Sequence, residues 1–169
     1  MKELGKIKNL PCEIIKILAS NIQLQKLLLV DSQELPTDEH FISKRWDQLI
    51  DEDYMSICPA IDDNITNNSR NSFLIVHLED IDTYGTEGNL DIGGVVWVGT
   101  NKEHVWLKGN KLRLLEMVDE VIKSLDGQKC SVAGKIKVLR ASSVVYSKSS
   151  FGYRISFRVA EQENRKAEL

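Results

Sequence analysis

The acidic run Asp80-Ile81-Asp82-Thr83-Tyr84-Gly85, with Glu87 and Asp91 behind it, spaces carboxylates and a glycine as the opening of a calcium loop does. Such a loop takes oxygen ligands at alternate positions and closes on a bidentate glutamate, between two helices. Here Tyr84 occupies a ligand position, Asp91 stands where the glutamate belongs, and the flanks are strand-like. The run therefore reads as an acidic loop joining two strands, with no metal. Asp51-Glu52-Asp53, Asp62-Asp63 and Glu79-Asp80 suggest two-metal phosphodiester chemistry. That chemistry needs carboxylates converging from neighbouring strands, usually with a lysine, and Lys135 and Lys137 have no acidic neighbour in their own segment. His77 precedes Glu79 by two residues, but a histidine base needs a nucleophile or a cleft, and no G-x-S-x-G or catalytic-cysteine signature accompanies it. It reads as a hydrogen-bonded core histidine. Gly85, Gly88, Gly93 and Gly94 lack the spacing of a phosphate loop. Cys12, Cys58 and Cys130 are odd in number and widely separated, and no H-x-x-x-H spacing joins them, so they read as reduced, small hydrophobes rather than zinc ligands or a disulfide framework. The expectation is a protein that is not an enzyme, with no catalytic residues, metal or cofactor.

The stronger signal is charge. Residues 1–127 hold 13 basic and 22 acidic residues, a balance of −9, whereas residues 128–169 hold 9 basic and 3 acidic, a balance of +6. A net charge of −3 argues against general nucleic-acid binding, but the split gives the subunit two unlike ends. Alternate residues of a strand share a face, so Lys135 and Lys137 fall together, as do Arg154 and Arg158, with Arg140 nearby. These five form a candidate basic face for an acidic partner surface or for a channel passing DNA, since phosphate attraction needs only arranged charge. Trp46 and Tyr54 are candidate interface anchors upstream, and Trp97 and Trp106 flank a turn.

The elements that must carry these residues follow from periodicity. Leu10, Ile14, Ile17 and Leu18, then Leu24, Leu27 and Leu28, mark a helical segment over residues 10–30. Ser20-Asn21 interrupts it, because both side chains compete for backbone hydrogen bonds. Residues 31–71 are weakly patterned, with a short helix at 43–51 carrying Trp46, Leu49 and Ile50, and read as an irregular arm or insertion. Phe73 to Leu78 is near-continuously apolar and reads as a buried strand, and 91–98 as a second, with a polar loop at 79–89. A second main helix begins at Gly109-Asn110 with Asn110 as its cap, buries Leu114, Val118, Val121, Ile122 and Leu125 in a stripe widened by Leu112 and Leu115, and stops at Gly127. Strands at 129–139 and 151–159 close the chain. In the last, Tyr153, Ile155, Phe157 and Val159 alternate with Arg154, Ser156 and Arg158. Residues 161–169 read as a charged, flexible tail.

The expected architecture is one α+β domain over residues 1–169: a mainly antiparallel four-stranded sheet, two main helices packed on one face, and the arm. No apolar run is long enough to span a bilayer and the opening residues lack the pattern of a leader, so a cytoplasmic protein is the expectation.

Short blocks give the chain a family look: Ile14-Ile15-Lys16-Ile17-Leu18 with Leu24-Gln25-Lys26-Leu27-Leu28, Ile57-Cys58-Pro59, and Ser72-Phe73-Leu74-Ile75-Val76. Downstream come Trp106-Leu107-Lys108 leading into Leu112-Arg113, and Gly134-Lys135-Ile136 with Phe151-Gly152-Tyr153. In these it resembles the tail-terminator and neck proteins of long-tailed phages and prophages of Gram-positive bacteria. The resemblance implies a virion component assembled in the host cytoplasm as a ring, typically a hexamer. Such a ring ends tail-tube growth and joins the tail to the head connector, with DNA passing non-specifically through its lumen. Its partners would be copies of itself, the tail-tube protein and a connector or adaptor. A head-closure or neck adaptor of the same particle is the neighbouring alternative, and a small α+β ligand-binding or enzymatic domain with a site near His77 the distant one.

Overall fold

The computed structural model describes residues 7–57, 70–84, 89–131, 134–146 and 148–160. Helix α1 (Leu10–Ala19) carries Pro11 in its first turn, where the missing N–H costs nothing, and buries Leu10, Ile14, Ile15 and Leu18. The chain breaks at Ser20-Asn21. The Ser20 hydroxyl donates to the Ile17 carbonyl (2.7 Å), and the Asn21 side chain accepts from the Leu24 N–H (3.0 Å), which caps α2 (Ile22–Leu29). A 3₁₀ turn (Asp38–His40) and α3 (Trp46–Asp51) lead to the short strand β1 (Met55–Ile57).

Strands β2 (Ser72–Tyr84) and β3 (Asn89–Asn101) are thirteen residues each. A 3₁₀ turn (Lys102–His104) and a two-stranded ribbon, β4 (Trp106–Leu107) with β5 (Lys111–Leu112), feed α4 (Arg113–Leu125). Strands β6 (Lys129–Cys130), β7 (Gly134–Val145) and β8 (Ser150–Ala160) follow. The main sheet runs β1-β2-β3-β8-β7-β6. Only β1 and β2 are parallel, and the remaining pairs are antiparallel.

The expected four-stranded antiparallel sheet is therefore corrected to a mixed six-stranded one that curls towards a half-barrel. The arm expected to be irregular supplies edge strand β1 through Met55, which is fully buried. Two residues, Lys129 and Cys130, form a separate edge strand, because Ser131 already leaves the ladder. The acidic run expected as a loop instead stays in β2 from Asp80 to Tyr84, paired register by register with Gly93 to Asn89. Backbone pairing across a long hairpin outweighs the low strand propensity of those aspartates. The start of α4 differs as well. Gly109 (φ +83°) and Asn110 (φ +60°) make the left-handed turn between β4 and β5, and the helix begins three residues later. Leu115 points outward, and Met117 takes its place in the buried stripe. Gly127 (φ +80°) follows the helix end at Asp126, where only glycine adopts that conformation without strain.

Helices α1, α2 and α4 cover one face of the sheet. Leu10, Ile14, Leu18, Leu24, Leu28, Met117, Val121 and Leu125 pack there on Leu74, Val76, Val96, Val98, Ile155, Phe157 and Val159. A smaller cluster lies on the opposite face, where Phe73, Ile75, Val95 and Trp97 are covered by Val144 and Tyr146. The end of the β7–β8 hairpin thus curls over the sheet. Bulges at Glu79 in β2 and Leu139 in β7 supply the extra twist. The Tyr146 ring reaches Phe73 (centroids 5.4 Å apart) and Trp97 (6.1 Å) because Gly99 and Gly152 leave the space those rings fill.

Candidate assembly surface

Lys135, Lys137, Arg140, Arg154 and Arg158 all project from the face opposite the helices. Their register is direct: Lys137 stands across from Arg158, and Ser142 from Arg154. The five do not act alike. Arg154 forms an ion pair with Glu79, donates to the Ser156 hydroxyl (2.6 Å) and lies 5.7 Å from the Trp97 ring centroid. Arg158 sits between Asp91 (3.1 Å) and Asp82 (3.8 Å). These two arginines brace β8 against β2 and β3, and two of the carboxylates suggestive of calcium chemistry, Asp82 and Asp91, face Arg158. Lys135, Lys137 and Arg140, all on β7, are exposed and form no ion pair among the described residues. The candidate face thus divides into a neutralised half on β8 and a free cationic row on β7.

Trp46 and Tyr54 turn inward. Both are half-buried against the main core, with Lys16 Nζ 4.7 Å from the Trp46 ring centroid and the Arg70 guanidinium 4.5 Å from that of Tyr54. Residues 58–69, including Cys58 and the Asp62-Asp63 pair, lie outside the described residues, as do 85–88 and 161–169. His77 sits half-buried in β2 on the outer face, opposite Val95. Cys130 is buried, which pushes its thiol pKa up to about 12.

The segment from Asp31 to Tyr54 is strapped to the helix layer by side chains that periodicity does not single out. Arg113, 1% exposed, donates to the carbonyls of Leu27 (2.8 Å), Val30 (2.6 Å), Ser32 (2.6 Å) and His104 (2.9 Å). Burial lowers its pKa, but a guanidinium stays charged at any relevant pH. It therefore places a cation on the unsatisfied carbonyls that end α2, where a helix favours positive charge. Gln25 pairs with the Lys44 backbone in both directions (2.9 and 2.8 Å), and Lys26 reaches Asp38 (2.5 Å). The available signal was composition: a charged residue amid Leu112, Leu114 and Leu115, and Gln25-Lys26 inside an apolar stripe.

An apolar groove of about 330 Å³ opens between the start of α4 and the far end of the β7–β8 hairpin. Leu114, Leu115, Val144, Val145, Phe151 and Tyr153 line it. Leu115 and Val145 are themselves exposed.

A family model, YomW, matches residues 21–159. The chain belongs to the YomW family. That name is of a prophage type, and the chain is accordingly a phage-associated protein. The match spans α2 to β8, so it covers the strapped segment, the sheet and the cationic row. No curated protein matches the chain. No helix among its described residues is long and apolar enough to cross a membrane.

Proposed function

We propose that this member of the YomW family is a tail-completion subunit: a tail terminator that assembles as a ring, ends tail-tube growth and docks on the head connector. Phage association gives the context. The observation that carries the reading is the cationic row Lys135, Lys137 and Arg140, exposed at the β7 end of a sheet whose β2–β3 end carries the carboxylates Glu79, Asp82 and Asp91. A subunit with unlike sides makes heterologous, head-to-tail contacts, which close into a ring when the rotation permits. In this reading β7 meets a neighbouring subunit, and DNA passes through the lumen without base-specific contact.

The test is assembly. Purified protein, alone and mixed with tail-tube protein, is followed by light scattering and negative-stain microscopy. Rings of tube width that cap growing tubes are expected. A monomer at every concentration, with tube protein present, refutes the proposal. Rings that bind the connector but leave tube length uncontrolled assign the adaptor role instead.

A further inference from the structure

Strand β7 has two unlike halves along its outer edge. The first is covered: β6 pairs with Gly134 and Lys135, Ile136 exchanges hydrogen bonds with Gly127 and Gln128 (2.8 Å each), and the Val138 N–H donates to Asp126 (2.9 Å). The bulge at Leu139 then resets the phase. Beyond it Arg140, Ser142 and Val144 stand opposite Ser156, Arg154 and Gly152, and the next even residue, Tyr146, donates its N–H to the Ser150 carbonyl (3.0 Å). Even residues therefore bond β8. Ala141, Ser143 and Val145 direct N–H and C=O away from the sheet, where no strand pairs with them among the described residues. Natural edges are commonly guarded by a bulge, proline, an inward charge or a covering element, and beyond the bulge at Leu139 none of the others is present among the described residues. Residues 141–145 (Ala-Ser-Ser-Val-Val) hold neither charge nor proline, and the apolar groove lies beside them.

The same sheet ends at its other edge in β1. The Leu74 N–H donates to the Tyr54 carbonyl (2.9 Å), so Tyr54 and Ser56 face β2 while Met55 and Ile57 direct their main-chain groups outward. Asp51, Glu52 and Asp53 precede this edge, with Glu52 paired to Lys44, whereas Arg140 and Lys148 flank the open part of β7. The two edges are complementary in main-chain hydrogen bonding and in charge. Ile57, 37% exposed, projects to the helix side of the sheet, which in a continued sheet is the side of the groove.

We infer that the open edge of β7, residues 139–145, takes up the β1 edge of a second copy of this chain, so that the sheet continues from subunit to subunit. This rests on the ring reading and names its contact: strand addition supplies main-chain bonds, the groove receives apolar side chains, and charge fixes direction.

Proline at an outward position removes a donor from the intersubunit ladder and none from the subunit's own. Ser143→Pro and Ile57→Pro should each reduce the assembly to monomers in light scattering, with circular dichroism unchanged. Ser143→Ala, which keeps the N–H, should assemble as the wild type does. Mixing the two proline variants should give a one-to-one dimer that grows no further, since each retains the edge the other lacks. If Ser143→Pro loses its fold, Val145→Pro at the strand's last residue carries the same test. Rings that survive both proline variants overturn the inference and leave the ring reading standing. Wild-type dimers or open filaments that Ser143→Pro abolishes keep the inference and remove the ring. A monomeric wild type removes both.

Discussion

Replacing Arg113 by methionine keeps the unbranched apolar stem while removing every donor. Four carbonyls then lose their partner: Leu27, Val30, Ser32 and His104. The bond to Leu27 is buried, and the other three lie where water reaches them in part. An unsatisfied buried carbonyl costs about 1–3 kcal/mol, and the water-accessible ones cost less. The cation at the end of α2 contributes roughly a further 0.3–1 kcal/mol. Against this stands the desolvation of the guanidinium, which the substitution relieves. Exchanging both members of a buried polar pair for apolar groups is often neutral, but here the acceptors are backbone and remain. The expected net loss is about 3–4 kcal/mol. With a urea m-value of about 2 kcal/mol/M, the midpoint followed by tryptophan fluorescence should fall by about 1.5–2 M. Arg113→Lys should recover about half, because one ammonium cannot span carbonyls on both sides of the fork. Hydrogen exchange should quicken first in residues 31–41, which Arg113 joins to α4. A midpoint shift under about 0.5 M for methionine, with exchange unchanged in that segment, would refute the strapping argument. Equal stability of lysine and arginine would show that charge alone suffices.

Other substitutions probe separate contacts. A Cβ at Gly152 would overlap the Val98 carbonyl oxygen and lie 2.5 Å from the Tyr146 ring, so Gly152→Ala should cost about 2–3 kcal/mol of overpacking in thermal or urea unfolding; an unchanged midpoint would contradict the packing described for the hairpin end. Lys26 is buried and its hydrogen bond lowers the Asp38 pKa below 3.8. A depressed carboxylate contributes stability above its unfolded pKa and loses it as pH falls through the folded one. Asp38→Asn should accordingly lower the urea midpoint at neutral pH, with the gap to wild type closing only as pH falls below about 3.8; a gap of constant size down to pH 2 would remove the ion pair as its cause. With its thiol pKa pushed up to about 12, Cys130 should resist iodoacetamide at pH 8 in the folded protein and react after urea unfolding, as read by peptide mass spectrometry. Rapid native labelling would place it at the surface.

Much of the secondary structure was legible because it depends on local pattern. The stripe of α1, the cap at Asn21, the stop at Gly127 and the alternation of β8 each follow from side-chain spacing or from one residue's backbone preference. The same alternation places Lys135 with Lys137, and Arg154 with Arg158, on a shared strand face. Long-range pairing was not legible. Asp80 and Asp82 read as loop because aspartate disfavours strands, and only the partner β3 keeps them extended. Trp46 and Tyr54 read as anchors for another molecule because nothing local shows that the segment folds back on α1 and β2.

By itself the sequence determined an α+β chain without catalytic or metal-binding signatures, and one whose cations gather in its last third. Tertiary structure decided what those cations do. Arg154 and Arg158 lie beside acidic residues drawn from β2 and β3, tens of residues earlier in the chain, and are neutralised by them; Lys135, Lys137 and Arg140 lie one strand further out, beyond reach. The difference arises from strand order, because Coulomb attraction depends on distance across the sheet and not on separation along the chain.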